Sequence, residues 1–397
     1  MTGHHMFINL ETCQMYCLPE NYEVIDSSLD DISRCLRPEF SQAQIASLDL
    51  NATLARDVHG VAYLPGFCGL NNLKHTDYIN VVVQALAHVQ PLRDMFLAEN
   101  DDVESAAKRR PLVRKFRDLL RKMWSKDNFK SVISPHDFVQ EVTAQSSNFK
   151  IAKQGDAVDF FRWLLAELER QLGGIEESFR GEILVETLQR RTHLTKSDVE
   201  WTRTETNTKF AYLTLDIPPT PLFKDSRGGN IVPQIPLFDV LAKYNGVKLT
   251  DSVKAGVQSR KRYVIKKLPR FLIFHFGRFL KNNFSSEKNP TIVNFPVKNL
   301  ELKDQFAFSS ADYYSQDHPT KYDLLANICH DLPAGLGKDA QQDPLQFGTY
   351  RVHVRQVSSD QWYEIQDLHV AETMPQLIGL SESLLAIYVR RDATLSS

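Results

Sequence analysis

The stretch Gly69–Leu86, GLNNLKHTDYINVVVQAL, is laid out like a reactive site: a glycine-led turn, a short polar loop, and an apolar helix opening at Thr76-Asp77. Free amides at a helix N-terminus stabilise a thiolate, so a cysteine nucleophile would be activated at this junction. The residue there is Asp77. A carboxylate in the first helical turn gains about 0.3–1 kcal/mol from the same field, so Asp77 also reads as a purely structural helix cap. Asn80, Gln84 and His88, spaced four apart, form one polar stripe, and the rest of the helix is apolar nearly all round, the pattern of a buried helix. Val81, Val82 and Val83 are poor helix formers, so tertiary burial must hold the segment helical.

Other groups with chemical potential are fewer. Cys13, Cys17, Cys35, Cys68 and Cys329 include no C-x-x-C pair, which suits a reducing compartment, cytosol or nucleus, better than a disulfide framework. No cysteine lies between Phe179 and Cys329, so a zinc site there lacks thiolate ligands. His353 lies four residues beyond Thr349 and reads as an ordinary half-buried or surface histidine in preference to a displaced base. Lys108, Arg109, Arg110, Arg114, Lys115, Arg117, Arg121 and Lys122 crowd one helix whose other face is Leu112, Val113, Phe116, Leu119, Leu120 and Met123. That basic helix, 108–122, suits RNA phosphates or an acidic partner, and equally a solvated face whose stems cover apolar surface.

The elements that position these groups follow from periodicity. Met6–Leu10 and Gln14–Cys17 read as short strands, Ser27–Leu36 as a serine-capped helix, and Ser41–Ala55 as a second helix. Tyr63–Gly69 is punctuation, with the main domain boundary near Gly60. From Asp77 to about Leu172 the pattern is mainly helical, closing with a helix over Gly155–Leu172. After Phe179 nine strand-like segments follow, from GEILVETLQ to SLLAIYVRR. Helices first and strands second is an α+β pattern, with a crevice between the halves as the natural place for a site.

Composition bounds the rest. The 397 residues exceed one ordinary domain, and 42% hydrophobic with 24% charged residues is a globular balance. The net charge of −2 gives no global argument for nucleic acid or membrane. No apolar run approaches the roughly 18–20 residues of a membrane span, and no secretory signal opens the chain.

Gly69–Leu86 resembles the cysteine box of the ubiquitin-specific proteases, G-L-x-N-L-G-N-T-C-Y-M-N-S-x-L-Q-x-L. Gly69, Leu70, Asn72, Leu73, Thr76, Tyr78, Asn80, Gln84 and Leu86 all match. QGDAVDFFRWLL (Gln154–Leu165), LPRFLIFHFGRF (Leu268–Phe279), VNFP (Val293–Pro296), YDLLANICHD, FGTYRVHV and WYEIQDLHV are similar to the later boxes, in order. The resemblance implies a papain-like α+β fold, a helical thumb packed on a strand-rich palm and fingers. It also implies that the nucleophilic cysteine, its histidine base and the acid that orients it are replaced by Asp77, Thr349 and Gln366. Asn72 matches the oxyanion-stabilising asparagine, and His330 a non-catalytic histidine. Without a histidine at 349 there is no base or proton donor for an amide's leaving group, so the implied protein is a pseudo-enzyme. An aspartic-type pairing of Asp77 with Asp367 is the disfavoured alternative.

Residues 1–35 resemble the end of a ubiquitin-binding-type zinc finger cut short, with His4 and Cys17 at ligand positions. Residues 36–60 then read as a helical linker and 61–397 as the protease-like domain. No cofactor is expected. YCLPENYEVIDSSLDDI, KNPTIVNFPV and YEIQDL further resemble one splicing-associated, inactive branch of the family. That likeness implies a nuclear, non-catalytic scaffold among spliceosomal tri-snRNP proteins, with possible snRNA contact through 108–122, weak or absent ubiquitin binding, and no membrane role. A residual deubiquitinase and a ubiquitin-binding module are the alternatives.

Overall fold

The computed structural model describes residues 4–10, 12–50, 53–98, 101–192, 199–220, 232–254, 257–281, 286–306, 319–333 and 343–391. The chain forms two compact units, Met1–Lys153 with Gln356–Glu372, and Gln154–Arg355 with Thr373–Ser397.

The first unit opens with the antiparallel strands His5–Ile8, Met15–Leu18 and Tyr22–Glu23. Its helices are α1 (Asp30–Leu36), α2 (Gln42–Ser47), α3 (Asp77–Ala87), α4 (Gln90–Leu97), α5 (Asp101–Arg109), α6 (Pro111–Trp124) and α7 (His136–Gln145). Two differ from the sequence expectation. A 3-10 turn over Ser27–Leu29 leads into α1, and Asp26, not a serine, caps it by accepting the Ser28 amide. The second helix stops at Ser47, and Ala55–Arg56 is already a strand paired with Ala62–Tyr63.

Helix α3 is the centre of this unit, every residue from Asp77 to Ala87 being buried. The polar stripe faces inward and is bonded there. Gln84 Nε2 donates to Cys68 O at 2.7 Å, and His88 Nδ1 meets Gln84 O at 2.8 Å. Burial drives the His88 pKa down to about 4, so the ring is neutral between Phe67 and Trp124. Trp124 Nε1 donates to Ala87 O, and its ring also takes the Arg93 guanidinium 4.7 Å from its centroid. Arg93, 1% exposed, is paired bidentately with Asp49 at 2.7 Å, the arrangement a buried guanidinium requires. Gly66 has φ +86°, and a Cβ there would lie 2.7 Å from the Trp124 ring. Glycine is dictated twice over.

The apolar face predicted from Leu112 to Met123 is buried as expected. The basic helix is not continuous, however. Pro111 starts α6 at a position where its missing N–H costs nothing, and α5 ends at Arg109.

The second unit starts with α8 (Ala157–Leu172), capped by Asp156 accepting the Val158 amide at 2.7 Å and ended by Gly173 at φ +78°. Phe160, Phe161, Leu164, Leu165 and Leu168 form its buried side. The main sheet of this unit orders its strands Leu213–Asp216, Phe271–Gly277, Ser383–Arg390, Lys321–Asp331 and Thr349–Arg355. Its central strands are buried almost continuously, as strands covered on both faces are. A second antiparallel sheet orders Thr250–Lys254, Val257–Lys267, Gly181–Thr192 and Val199–Phe210.

Candidate functional site

Asp77 is the first residue of α3 and is only 4% exposed. The loop before it is a closed hydrogen-bonded unit. The Leu73 amide donates to Thr76 Oγ1 at 2.8 Å, and the Thr76 amide to Asn72 Oδ1 at 3.0 Å. Asn72 Nδ2 then donates to Asp367 Oδ2 at 2.9 Å, and Asn80 Nδ2 to Asp367 Oδ1 at 2.8 Å. The Leu70 amide donates to the Asp367 carbonyl at 2.9 Å. Asp367 thus clasps the turn after strand Trp362–Gln366 to both ends of the polar loop. It does so at φ +51°, a left-handed conformation that Asp tolerates better than most residues. Gly69 lies so close that a Cβ would fall 2.8 Å from the Leu368 backbone.

Sequence reasoning considered Asp367 only as a possible proton-sharing partner and missed its structural role. Burial hides the Asp77 carboxylate, whereas Lys74 and His75 of the same loop are exposed.

Gln366 ends its strand half-buried in this same unit, whereas Thr349 opens an exposed strand end in the second unit. Neither offers a titrating group. His353 is a correction: it is 1% exposed, with Cys329 Sγ 3.8 Å from Nδ1 and Asn327 Nδ2 at 3.5 Å. Four residues along a strand also separate it from Thr349 by about 13 Å. His330 is fully buried between Phe279 and Tyr350, and burial lowers its pKa to about 3. A Cβ on Gly348 would sit 2.0 Å from its ring, so the glycine of GTY makes room for it. Cys68, beside Gly69, is no substitute nucleophile: desolvation pushes its thiol up to about 12.

The amino-terminal sheet brings His4, Cys17 and Glu20 together, with donor atoms within 4.8 Å of one another. Glu20 was not anticipated. Its carboxylate bonds His4 Nδ1 at 3.0 Å. Among the described residues this set supplies three donors, one short of a closed tetrahedral zinc site. In the basic stripe, Lys115 pairs with Asp137, Arg117 with Glu104, and Arg121 donates to the carbonyls of Phe96, Leu97 and Ala98. Lys108, Arg109, Arg110 and Arg114 are exposed, Arg109 donating to Ser105 Oγ at 2.6 Å.

Residues 68–388 match the ubiquitin carboxyl-terminal hydrolase family. The chain belongs to that family. Within it, this chain is 43% identical to Ubiquitin carboxyl-terminal hydrolase 39 of Homo sapiens, over 98% of its own length and 70% of that protein. It is 38% identical to the Probable mRNA-splicing protein ubp10 of Schizosaccharomyces pombe, covering 98% and 77%, and 24% identical to the Pre-mRNA-splicing factor SAD1 of Saccharomyces cerevisiae, covering 98% and 82%. Among solved folds, an essential yeast splicing factor superposes with a TM-score of 0.75 at 24% identity, covering 98% of this chain and 86% of that one. The SAGA Ubp8/Sgf11/Sus1/Sgf73 DUB module bound to ubiquitin aldehyde gives 0.61 at 15%, covering 98% and 81%. The α+β hydrolase fold is therefore common to family members named for splicing and for deubiquitination.

Proposed function

We propose that this chain is a nuclear pre-mRNA splicing factor that uses an inactive deubiquitinase fold as a protein-binding scaffold in tri-snRNP assembly or integrity. The observation that carries the reading is the match along 98% of the chain to relatives named as splicing proteins. The site supports the non-catalytic half. Where the family's pattern places a thiolate, this chain has Asp77, buried at the start of α3, and a threonine replaces the base. A carboxylate is a feeble nucleophile toward an amide, and no group at 349 can protonate the leaving amine. Asn72, at the oxyanion position, has turned its amide to Asp367. The carboxylate oxygens of Asp367 accept bonds from Asn72 and Asn80, an arrangement that favours a structural role for it over proton sharing with Asp77. On this reading residues 1–35 are a finger remnant that holds no zinc, and ubiquitin binds weakly or not at all. Any snRNA contact falls mainly to Lys108, Arg109, Arg110 and Arg114, because Lys115, Arg117 and Arg121 have internal partners.

Affinity purification of the tagged chain from nuclear extract tests the proposal, with recovery of tri-snRNP proteins and their snRNAs expected. Purified protein should leave di-ubiquitin intact over hours at micromolar enzyme. Cleavage that Asp77→Ala abolishes would overturn the pseudo-enzyme reading, and tight ubiquitin binding without cleavage would replace the scaffold by a ubiquitin-binding module.

A further inference from the structure

Two loops of the first unit are joined beside the start of α3. Lys74 O accepts the Ala152 amide at 3.0 Å, and the Lys153 amide closes its own turn on Lys150 O at 3.3 Å. The Phe149 ring, buried at the root of that turn, lies 6.0 Å from the ring of Tyr78 on α3. Lys74 (φ +64°), His75 (φ +60°) and Ala152 (φ +66°) are all left-handed, a region that disfavours non-glycine residues. Lys74, His75, Lys150 and Lys153 are exposed, and among the described residues none of the four is paired with a carboxylate. Three lysines and a histidine therefore stand on two bonded loops with no ion-pair partner among the described residues. Of the acids beside them in sequence, Asp77 is buried, and Asp156, three residues after Lys153, is half-buried and accepts the Val158 amide.

The character of the surface narrows the partner. Ile151, 41% exposed, sits between the two lysines of its turn, and Leu73 is half-buried next to Lys74. Tyr78 and Phe149 are buried, so the His75 imidazole is the one ring of these two loops open to base stacking. Cations interleaved with aliphatic side chains, and without an exposed Phe, Tyr or Trp, complement an acidic peptide carrying aliphatic residues more closely than a nucleic acid. We infer that the Lys74–His75 loop and the Lys150–Lys153 turn together form a docking site for an acidic, leucine-containing segment of a partner protein. The inference stands apart from the splicing assignment, since it concerns only what these loops recognise.

The test uses the full chain and a fluorescein-labelled twelve-residue peptide, Glu-Asp-Leu repeated four times, read by fluorescence anisotropy. Binding should weaken at least about tenfold in Lys150→Glu/Lys153→Glu and fall steeply between low and physiological salt. Lys209→Glu, in the other unit, should bind like wild type. Lys74→Gly removes a charge and relieves the left-handed strain together, so it should bind more weakly without loss of thermal stability. Equal peptide binding by wild type and Lys150→Glu/Lys153→Glu would overturn the site. So would tighter binding of a labelled twelve-residue oligouridine that is lost in the same variant, because the surface would then read phosphates.

Discussion

Asp367 provides the sharpest test of how the loop at the start of α3 is held. Replacing it by alanine removes two charge-assisted hydrogen bonds, to Asn72 at 2.9 Å and Asn80 at 2.8 Å. Asn80 is 2% exposed, and its remaining contacts, to Leu70 O and Asn71 O, are long at 3.4 and 3.3 Å. Losing its bond should cost about 1.5–3 kcal/mol. Asn72 is exposed and recovers water, so its share is roughly 0.5 kcal/mol. Alanine at φ +51° adds about 1 kcal/mol of strain. The expected loss for Asp367→Ala is thus about 3–4.5 kcal/mol. Asp367→Gly loses the same bonds without the strain and should be milder by about 1 kcal/mol. Asp367→Asn keeps the left-handed tolerance and one acceptor and should be mildest. Urea unfolding followed by tryptophan fluorescence reads the effect, since Trp124 and Trp362 both belong to this unit. An alanine variant within about 0.5 kcal/mol of wild type, or glycine worse than alanine, would refute the clasp.

Three further outcomes follow from the packing. His88, 7% exposed, stays neutral to about pH 4 when folded, whereas an unfolded histidine takes up its proton near 6.5. The unfolded state then binds more protons between those values, so stability should rise with pH across that window; His88→Gln should flatten a slope worth about 3 kcal/mol in total. Gly348→Ala should destabilise strongly because its Cβ would occupy the space of the His330 ring, and His330→Ala should relieve much of that loss; strictly additive effects in the double variant would show that the clash is not the cause. A chelator should move the melting temperature by less than about 1 °C, as the His4, Cys17 and Glu20 set is one donor short among the described residues; a larger drop would reveal a resident metal.

Much of this fold could be read in the chain because its signals are local. The apolar spacing from Leu112 to Met123, the helical pattern over Gly155–Leu172, and apolar, aromatic-rich runs such as Phe271–Gly277 each specify an element locally. Pro111 was also legible, yet the charge pattern across it was read as one basic helix because the cations keep helical phase on both sides. Ser41–Ala55 failed for the opposite reason: a helix-compatible composition continued past Ser47, where the chain instead turns toward strand pairing at Ala55.

By itself, the sequence carried the family, and motif order is what proposes Asp77, Thr349 and Gln366 as the altered triad positions. Tertiary structure decided what those residues are exposed to. Asn72 and Asp367 are 295 positions apart, and no local pattern predicts that one will hold the other. Asp77 is hidden because α3 is buried on every side, His353 because it lies against Asn327 and Cys329 of the adjacent strand, and Lys115, Arg117 and Arg121 of the basic stripe are engaged because acids and carbonyls from other helices reach them. Burial and long-range partnership are properties of the packed chain, and they separate a residue that could do chemistry from one that holds the fold together.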